Sequence, residues 1–465
     1  MRIGYNVKRL SDLMNAGRIA KELARHDHWT REELKQFQHQ ELSRLVKYAV
    51  KYSPFYKRLY AGISLDELPK LDQLPVIDKR IMMDNFDQFV TNPQLKLADL
   101  QKHLATISRD EYYLNKYRVL TTAGSSGLVG VFVQNRSEWS TGIAAQIRAG
   151  QYAGIRAQFP NRLKSSVIIS SNPRHSSWRS MATTNIGQII LQQLYATEPI
   201  DTLAAKLNDF QPQTLSGYTS ILALLATEQL EGRLRIRPRH IQVSAEVFTA
   251  DMAQKMEKAW GVKPFNVYGA TEVMVIGATC TNYKGMHAFE DLAIIEVVDE
   301  HNKPVPDGTR GHKILITNLY NYTQPIIRYE LSDMITMSTE VCPCGRPFRL
   351  IRDIEGRSDD ILFLEGTGSK SVPVHPIHFH SLLGQFDQIR EYQVVYEDGG
   401  LHVYLVVSGT EDKQVFARDV ENKLRTQLQS LGAKCPPIQI HFVERLQRDP
   451  KQMGKLKLVK IVKKN

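Results

Sequence analysis

Asn266-Val-Tyr-Gly-Ala-Thr-Glu272 places an aromatic ring, a glycine, a hydroxyl and a carboxylate within five consecutive positions. These are the groups a nucleotide site draws on: a ring to stack on a base, a glycine where the backbone must come close, a hydroxyl for a phosphate oxygen and a carboxylate for Mg²⁺. A strand running into a glycine turn gives the same string without any ligand, so the reading turns on what surrounds it.

Working back from this stretch, the chain alternates strand and helix. A short buried strand is expected over 166–170, helices over 187–194 and 201–209, and a strand over 211–218 that ends in a polar turn before a helix starting at Ser220. A strand over 240–243 then runs into Ser244-Ala-Glu246, a helix follows over 250–260, and a strand over 265–268 leads into Tyr268. Such alternation indicates a largely parallel sheet, whose ligands sit beyond the carboxyl ends of the strands. Both Ser244-Ala-Glu246 and Tyr268-Gly-Ala-Thr-Glu272 fall at such ends. Further upstream, Leu34, Phe37, Leu42, Leu45, Val46 and Ala49 recur at helical spacing, with Pro54 ending the run and 53–56 reading as a turn.

Between these regions lies Leu120-Thr-Thr-Ala-Gly-Ser-Ser-Gly-Leu-Val-Gly-Val-Phe-Val133, which reads as strand, loop, strand. A loop of small and hydroxyl residues exposes backbone N–H groups that can wrap phosphates, although a structural hairpin would look the same. The Gly-Lys-Ser/Thr ending of a Walker loop is absent.

Downstream, strands over 293–298, 313–317 and 334–337 with Pro and Gly turns suggest a β-rich subdomain spanning about 280–355. Asp333 within it is placed to accept hydrogen bonds from a sugar diol. Gly356-Arg-Ser-Asp-Asp360 marks a boundary, beyond which strands and helices make a small α+β domain. The fold expected is therefore α/β: a large domain over 1–356 of mixed and parallel sheet flanked by helices, and a small mobile C-terminal lid over 357–465. At 465 residues the chain is long enough for more than one core, and its 42% hydrophobic and 23% charged residues are ordinary for a soluble protein.

The four cysteines are too few for a disulfide scaffold and suit a reducing compartment. With no membrane-length apolar run and no signal peptide, the expected location is cytoplasmic, with no membrane partner. Net charge is +11, but aromatics are not interleaved with the Lys and Arg residues as a single-strand groove requires, so no nucleic-acid partner is expected. Cys280, His287, Cys342 and Cys344 form two clusters whose Cys₃His set suits structural Zn²⁺, against the alternative of reduced buried thiols.

Taken in order, these segments resemble the adenylate-forming superfamily of acyl-CoA synthetases, and within it the phenylacetate-CoA ligase branch. The resemblance runs from about Leu45 to the carboxyl terminus. It also includes Tyr48-Ala to Pro54-Phe-Tyr56, Leu74-Pro-Val-Ile-Asp-Lys79, Gly285-Met-His287, Thr317-Asn-Leu319, Cys342-Pro-Cys-Gly-Arg346 and Tyr392-Gln-Val-Val395.

The resemblance implies that Thr122, Ala123, Gly124, Ser125, Ser126 and Gly127 hold the β and γ phosphates of ATP. Ser244, Ala245 and Glu246 would line the adenine, Tyr268 would stack on it beside Gly269, Thr271 would contact the α-phosphate and Glu272 would hold Mg²⁺. Asp333 would take the ribose hydroxyls with Arg357 beside them. Asp359 corresponds to the hinge, and Lys455 to the lysine that the small domain inserts. Tyr218, Ile276 and Gly277 lie in stretches that shape the acyl pocket in relatives, and some relatives carry zinc near the cysteine cluster.

The activity implied is adenylation of a carboxylic acid, aromatic or similar, followed by transfer to CoA. The alternatives are a carrier-protein or amine acceptor, or a nucleotide-binding protein without turnover. Two departures stand out. Gly127 is followed by Leu128, Val129 and Gly130 where the family places Pro or Lys, and Glu365-Gly-Thr-Gly-Ser-Lys370 is an inserted hairpin near the thioester-forming surface.

Overall fold

The computed structural model describes residues 2–65, 70–122, 128–155, 162–185, 189–367, 371–383, 386, 388–408, 412–447 and 456–462. Ala123 to Gly127 and Lys455 lie outside them, as does the side chain of Asp359.

β1 (Tyr117–Thr121) and β2 (Val131–Asn135) pair antiparallel and bracket the Gly- and Ser-rich run. β3 (Leu163–Ile169), β4 (Ile189–Tyr195), β5 (Thr214–Tyr218), β6 (His240–Ser244) and β7 (Phe265–Tyr268) are parallel to their neighbours. β8 (Gly277–Thr279) and β9 (Met286–Ala288) then fold back antiparallel. β10 (Ala293–Val298), β11 (Lys313–Asn318) and β12 (Tyr329–Leu331) make a separate three-stranded sheet. β13 (Asp333–Met337) and β14 (Leu350–Arg357) return to the large sheet, which is nine-stranded in the order β13-β14-β9-β8-β7-β6-β5-β3-β4. The strands expected to form one β-rich unit are therefore divided between two sheets.

The helix expected over 187–194 is instead β4, the edge strand beside β3. Ile189, Leu191 and Tyr195 are β-formers on an edge pleat, and pairing of 189–195 with 163–169 overrides the helical spacing of Ile190 and Leu194. Pro54 does end the preceding helix, Arg31–Tyr52, but it also begins another, Pro54–Leu59. Ser53 caps this second helix by accepting from the Tyr56 N–H, and proline is tolerated at a first helical position because its missing N–H has no partner there.

Arg2–His26 is one long helix that no apolar periodicity in the sequence announces. Its inner face carries Asp12, Ala16, Ile19, Ala20 and Leu23, small residues and an acid whose helical signal is weak. Asp12 is buried because Arg118 Nη1 (3.3 Å) and Arg136 Nε (2.7 Å) pair with it.

Past residue 357 the chain builds a core of its own. β15 (Leu362–Glu365) and β16 (Ser371–Val374) form a hairpin, and β17 (Ile389–Glu397), β18 (Gly400–Val407), β19 (Ile438–Phe442) and β20 (Val459–Ile461) form a sheet ordered β19-β18-β17-β20. Helix Lys413–Ser430 lays Phe416, Val420, Leu424 and Leu428 onto it at i, i+4 spacing. No helix among the described residues is long and apolar enough to cross a membrane.

Candidate active site

β6 and β7 are adjacent and parallel, with Ser244 opposite Val267, so Ser244–Glu246 and Tyr268–Glu272 emerge side by side at the carboxyl edge of the sheet. The second segment turns sharply. A Cβ on Gly269 would sit 2.2 Å from the Met274 carbonyl oxygen, and Met274 itself adopts φ 58°. The turn is pinned from the three-stranded sheet: Asn318 Nδ2 donates to the Glu272 carbonyl at 2.9 Å and the Tyr320 hydroxyl donates to that of Val273 at 2.8 Å.

Glu272 is 4% exposed. Burial pushes its carboxyl above the ordinary range and Asp333 adds to the rise, while Lys79 and Arg357 oppose it. Asp333 opens β13 opposite Arg357 at the end of β14, and the two pair at 3.5 Å. Tyr268 is buried beside them, its phenol pushed up by burial and then by Asp333. Glu272 and Asp333 thus face one space, neutralised in part by Lys79 and Arg357.

That space is a cleft of ≈ 2540 Å³ lined by Thr122, Tyr218, Ser244, Ala245, Glu246, Tyr268, Gly269, Thr271, Glu272, Asp333 and Arg357. Thr122 is fixed at the rim by two bonds to Gly130, its N–H donating to the Gly130 carbonyl at 3.0 Å and its Oγ1 accepting the Gly130 N–H at 2.9 Å. Ile276 and Gly277 are elsewhere. Ile276 is fully buried in the main core, and Gly277 is in β8, where a Cβ would meet the His287 carbonyl at 2.7 Å.

Leu456, Lys457, Leu458 and Val459 also line the cleft. The Leu456 N–H donates to Glu246 Oε1 at 3.2 Å, and Lys457 Nζ pairs with Asp360 Oδ1 at 2.6 Å. The two residues that follow Lys455 are therefore seated against the nucleotide-motif wall. Lys79, Asp360 and Lys457 carried no role in the sequence reading. Lys79 stood in a quoted motif, but its approach to Glu272 crosses nearly two hundred residues of chain.

Cys280, His287, Cys342 and Cys344 converge with their ligand atoms all within 4.8 Å of one another. Cys280 Sγ and Cys342 Sγ are 3.6 Å apart, and Cys344 Sγ and His287 Nε2 3.3 Å. Tetrahedral thiolates on Zn²⁺ would be about 3.8 Å apart, so the donor set and its size fit such an ion. Burial and then Arg346 hold His287 down to about 4, so it is neutral and has a lone pair to give. Burial raises the Cys344 thiol, but hydrogen bonds from the Arg346 backbone and side chain outweigh it and leave the thiol below its usual value.

No family model matches the chain. Phenylacetate-coenzyme A ligase of Thermus thermophilus is 26% identical over 384 residues, covering 78% of each protein. Protein CapK of Staphylococcus aureus is 24% identical over 410 residues, 84% of this chain and 83% of that protein. Among solved structures, 2-hydroxyisobutyryl-CoA ligase in the postadenylation state superposes with a TM-score of 0.73 at 20% identity, covering 95% of this chain and 92% of that one. The chain is related in sequence to the phenylacetate-CoA ligases and has the fold of the adenylate-forming acyl-CoA ligases.

Proposed function

We propose that this protein is an ATP-dependent acid–thiol ligase that converts a small carboxylic acid, aromatic or similar, to its acyl-adenylate and then to a CoA thioester. The observation that carries the proposal is the single cleft shared by Thr122, Ser244–Glu246, Tyr268–Glu272, Asp333 and Arg357. The acid's carboxylate attacks the α-phosphorus, the bond to the β-phosphate breaks and pyrophosphate leaves. The CoA thiolate then attacks the acyl carbonyl, and AMP leaves with the electron pair.

Each residue has a task suited to its type. Ala123 to Gly127, with Thr122, hold the β and γ phosphates. Tyr268, Ser244 and Ala245 bound the adenine, and Asp333 takes the ribose diol with Arg357 paired to it. Thr271 contacts the α-phosphate, and Tyr218 shapes the acyl side. Lys455 brings a positive charge to the two anions that must meet, an electrostatic and positioning effect of the kind that dominates such reactions.

Glu272, a buried carboxylate beside a second one, offers the hard oxygen chemistry that Mg²⁺ takes, and the ion when bound offsets phosphate charge. Cys280, His287, Cys342 and Cys344 would hold a structural Zn²⁺ with no open ligand position. The lobe over 357–465 would turn about Asp359 between the two half-reactions.

The test is pyrophosphate release from ATP against a panel of carboxylic acids, followed by thioester formation with CoA. Release with at least one acid and a CoA product are expected. Pyrophosphate without a CoA thioester would move the acceptor to a carrier protein or an amine, and no release with any acid would overturn the proposal.

A further inference from the structure

Glu246 was expected to line adenine, yet both of its carboxylate oxygens are engaged elsewhere. Oε2 accepts the Ser220 N–H at 2.8 Å, in the first turn of helix Thr219–Leu230, where a negative charge is favoured by the helix dipole. Oε1 accepts the Leu456 N–H at 3.2 Å, a contact spanning 210 residues. The preceding Ala245 holds φ +70°, a left-handed conformation that side chains bearing a Cβ seldom take. A non-glycine residue kept there between β6 and Glu246 marks a place where the direction of the chain matters more than local ease.

Leu456 has a second restraint one residue on. Lys457 Nζ pairs at 2.6 Å with Oδ1 of Asp360, the last residue of the short turn Ser358–Asp360 that joins the two cores. The Lys457 carbonyl accepts from Gln393 Nε2 at 2.8 Å, and the Val394 N–H donates to the Leu458 carbonyl at 2.8 Å, which starts the parallel pairing of β20 with β17. Residues 456–457 are thus held on one side by the C-terminal sheet and on the other by two carboxylates of the cleft wall.

We propose that Glu246 is a positioning residue for adenylation: oriented by the amino end of helix Thr219–Leu230, it seats the chain that immediately follows Lys455, with Asp360 as the second anchor. This inference rests on the adenylation reading. Glu246 does not touch the reacting atoms; it acts through the segment it fixes. A carboxylate suits the task because it offers two acceptors in one rigid plane, one for each N–H. Glu246→Gln keeps the shape but replaces one acceptor with a donor that must face an N–H.

Two measurements on the full-length protein decide it. The first needs no substrate: amide hydrogen exchange across 456–462 in the wild type, Glu246→Gln and Asp360→Asn. Exchange faster by about tenfold or more in both variants is expected, with ATP affinity within about twofold of wild type because adenine is not what the carboxylate holds. Unchanged exchange, or intact exchange with weakened ATP binding, overturns the proposal in favour of an adenine-lining role.

The second uses the acid that gives the most pyrophosphate in the panel above. Glu246→Gln is expected to lower kcat for pyrophosphate release by about 10- to 100-fold with little change in KM for ATP, the size of effect that slight misplacement produces. It is expected to cause no further loss in a Lys455→Ala background, and to leave thioester formation from the supplied acyl-adenylate near wild type. An equal further loss in that background would show that Glu246 acts independently of the tail, and would overturn the proposal. Absence of pyrophosphate release from the wild type would instead overturn the adenylation reading, with hydrogen exchange still deciding the seat. Retained melting temperature in Asp360→Asn separates positioning from misfolding if Glu246→Gln folds poorly.

Discussion

Gly269 shows how much of the site is set by single atoms. With the Met274 carbonyl 2.2 Å from where its Cβ would lie, Gly269→Ala must push the turn that carries Thr271 and Glu272 out of place. Overpacking of this kind costs about 1–3 kcal/mol, and here the strain falls on the carboxylate facing Asp333. Melting temperature should fall modestly while pyrophosphate release falls far more; equal activity in the variant would mean that the turn does not position Glu272. Lys455→Ala tests the proposed role of Lys455 in bringing positive charge to the phosphates. It should cut pyrophosphate release about 10²- to 10³-fold while leaving ATP affinity nearly intact, a result that stopped-flow or isotope-exchange kinetics would read directly. An unchanged rate would remove Lys455 from the chemistry.

At the scale of elements, the cysteine cluster joins the β7–β8–β9 part of the large sheet to the loop before β14. Cys280 and Cys342 are buried, and Tyr152 from helix Arg136–Tyr152 meets His287 edge to face. A structural ion there would tie three elements together, so metal analysis should find about one Zn²⁺ per chain. Cys342→Ser or a strong chelator should lower the melting temperature by several degrees without altering which acid is accepted. Metal-free protein of full stability would assign the cluster to reduced thiols.

Elements differ in how far the sequence reveals them. Tyr268–Glu272 was legible because its functional groups are consecutive and stand at a strand end, and the cysteines because they are rare. β4 was misread since an edge strand pairs on one side only, and its apolar residues need not alternate cleanly. The N-terminal helix went unread for a related reason: its buried face uses Asp12, Ala16 and Ala20, which look like surface until Arg118 and Arg136 close over the acid. The seats of Leu456 and Lys457 on Glu246 and Asp360 had no local signal at all, being made by approach of distant segments.

Across the whole molecule, buried ion pairs tie together segments far apart in the chain. Asp110 receives Arg118 at 2.8 Å and Arg179 at 2.9 Å, and Asp291 receives Arg148 through both oxygens, at 2.7 and 2.8 Å, together with His26 at 2.8 Å. Burial alone would raise both carboxyls, but the guanidinium groups outweigh it and leave each below its ordinary value. A carboxyl held lower in the folded state than in the unfolded chain contributes stability that is complete above the unfolded value. That stability is lost as pH falls through the folded one. The protein should therefore be insensitive to pH near neutrality and unfold increasingly easily below about pH 4. Asp110→Asn, which takes the shared carboxylate from two buried guanidinium groups and leaves Arg118 with the Asp12 carboxylate and Arg179 with backbone carbonyls, should cost about 3–5 kcal/mol at pH 7 in denaturant titrations and much less at acid pH. A cost that did not shrink with acidification would contradict the ionised pairing.

The central claim is that one cleft activates a carboxylate with ATP. Its most direct measurement is acid-dependent exchange of labelled pyrophosphate into ATP by the purified chain, in the presence of Mg²⁺ and a panel of aromatic and small aliphatic acids. The predicted result is exchange that requires one of the acids and is lost in Glu272→Gln and Lys455→Ala. Exchange absent with every acid, while ATP still binds, would contradict it.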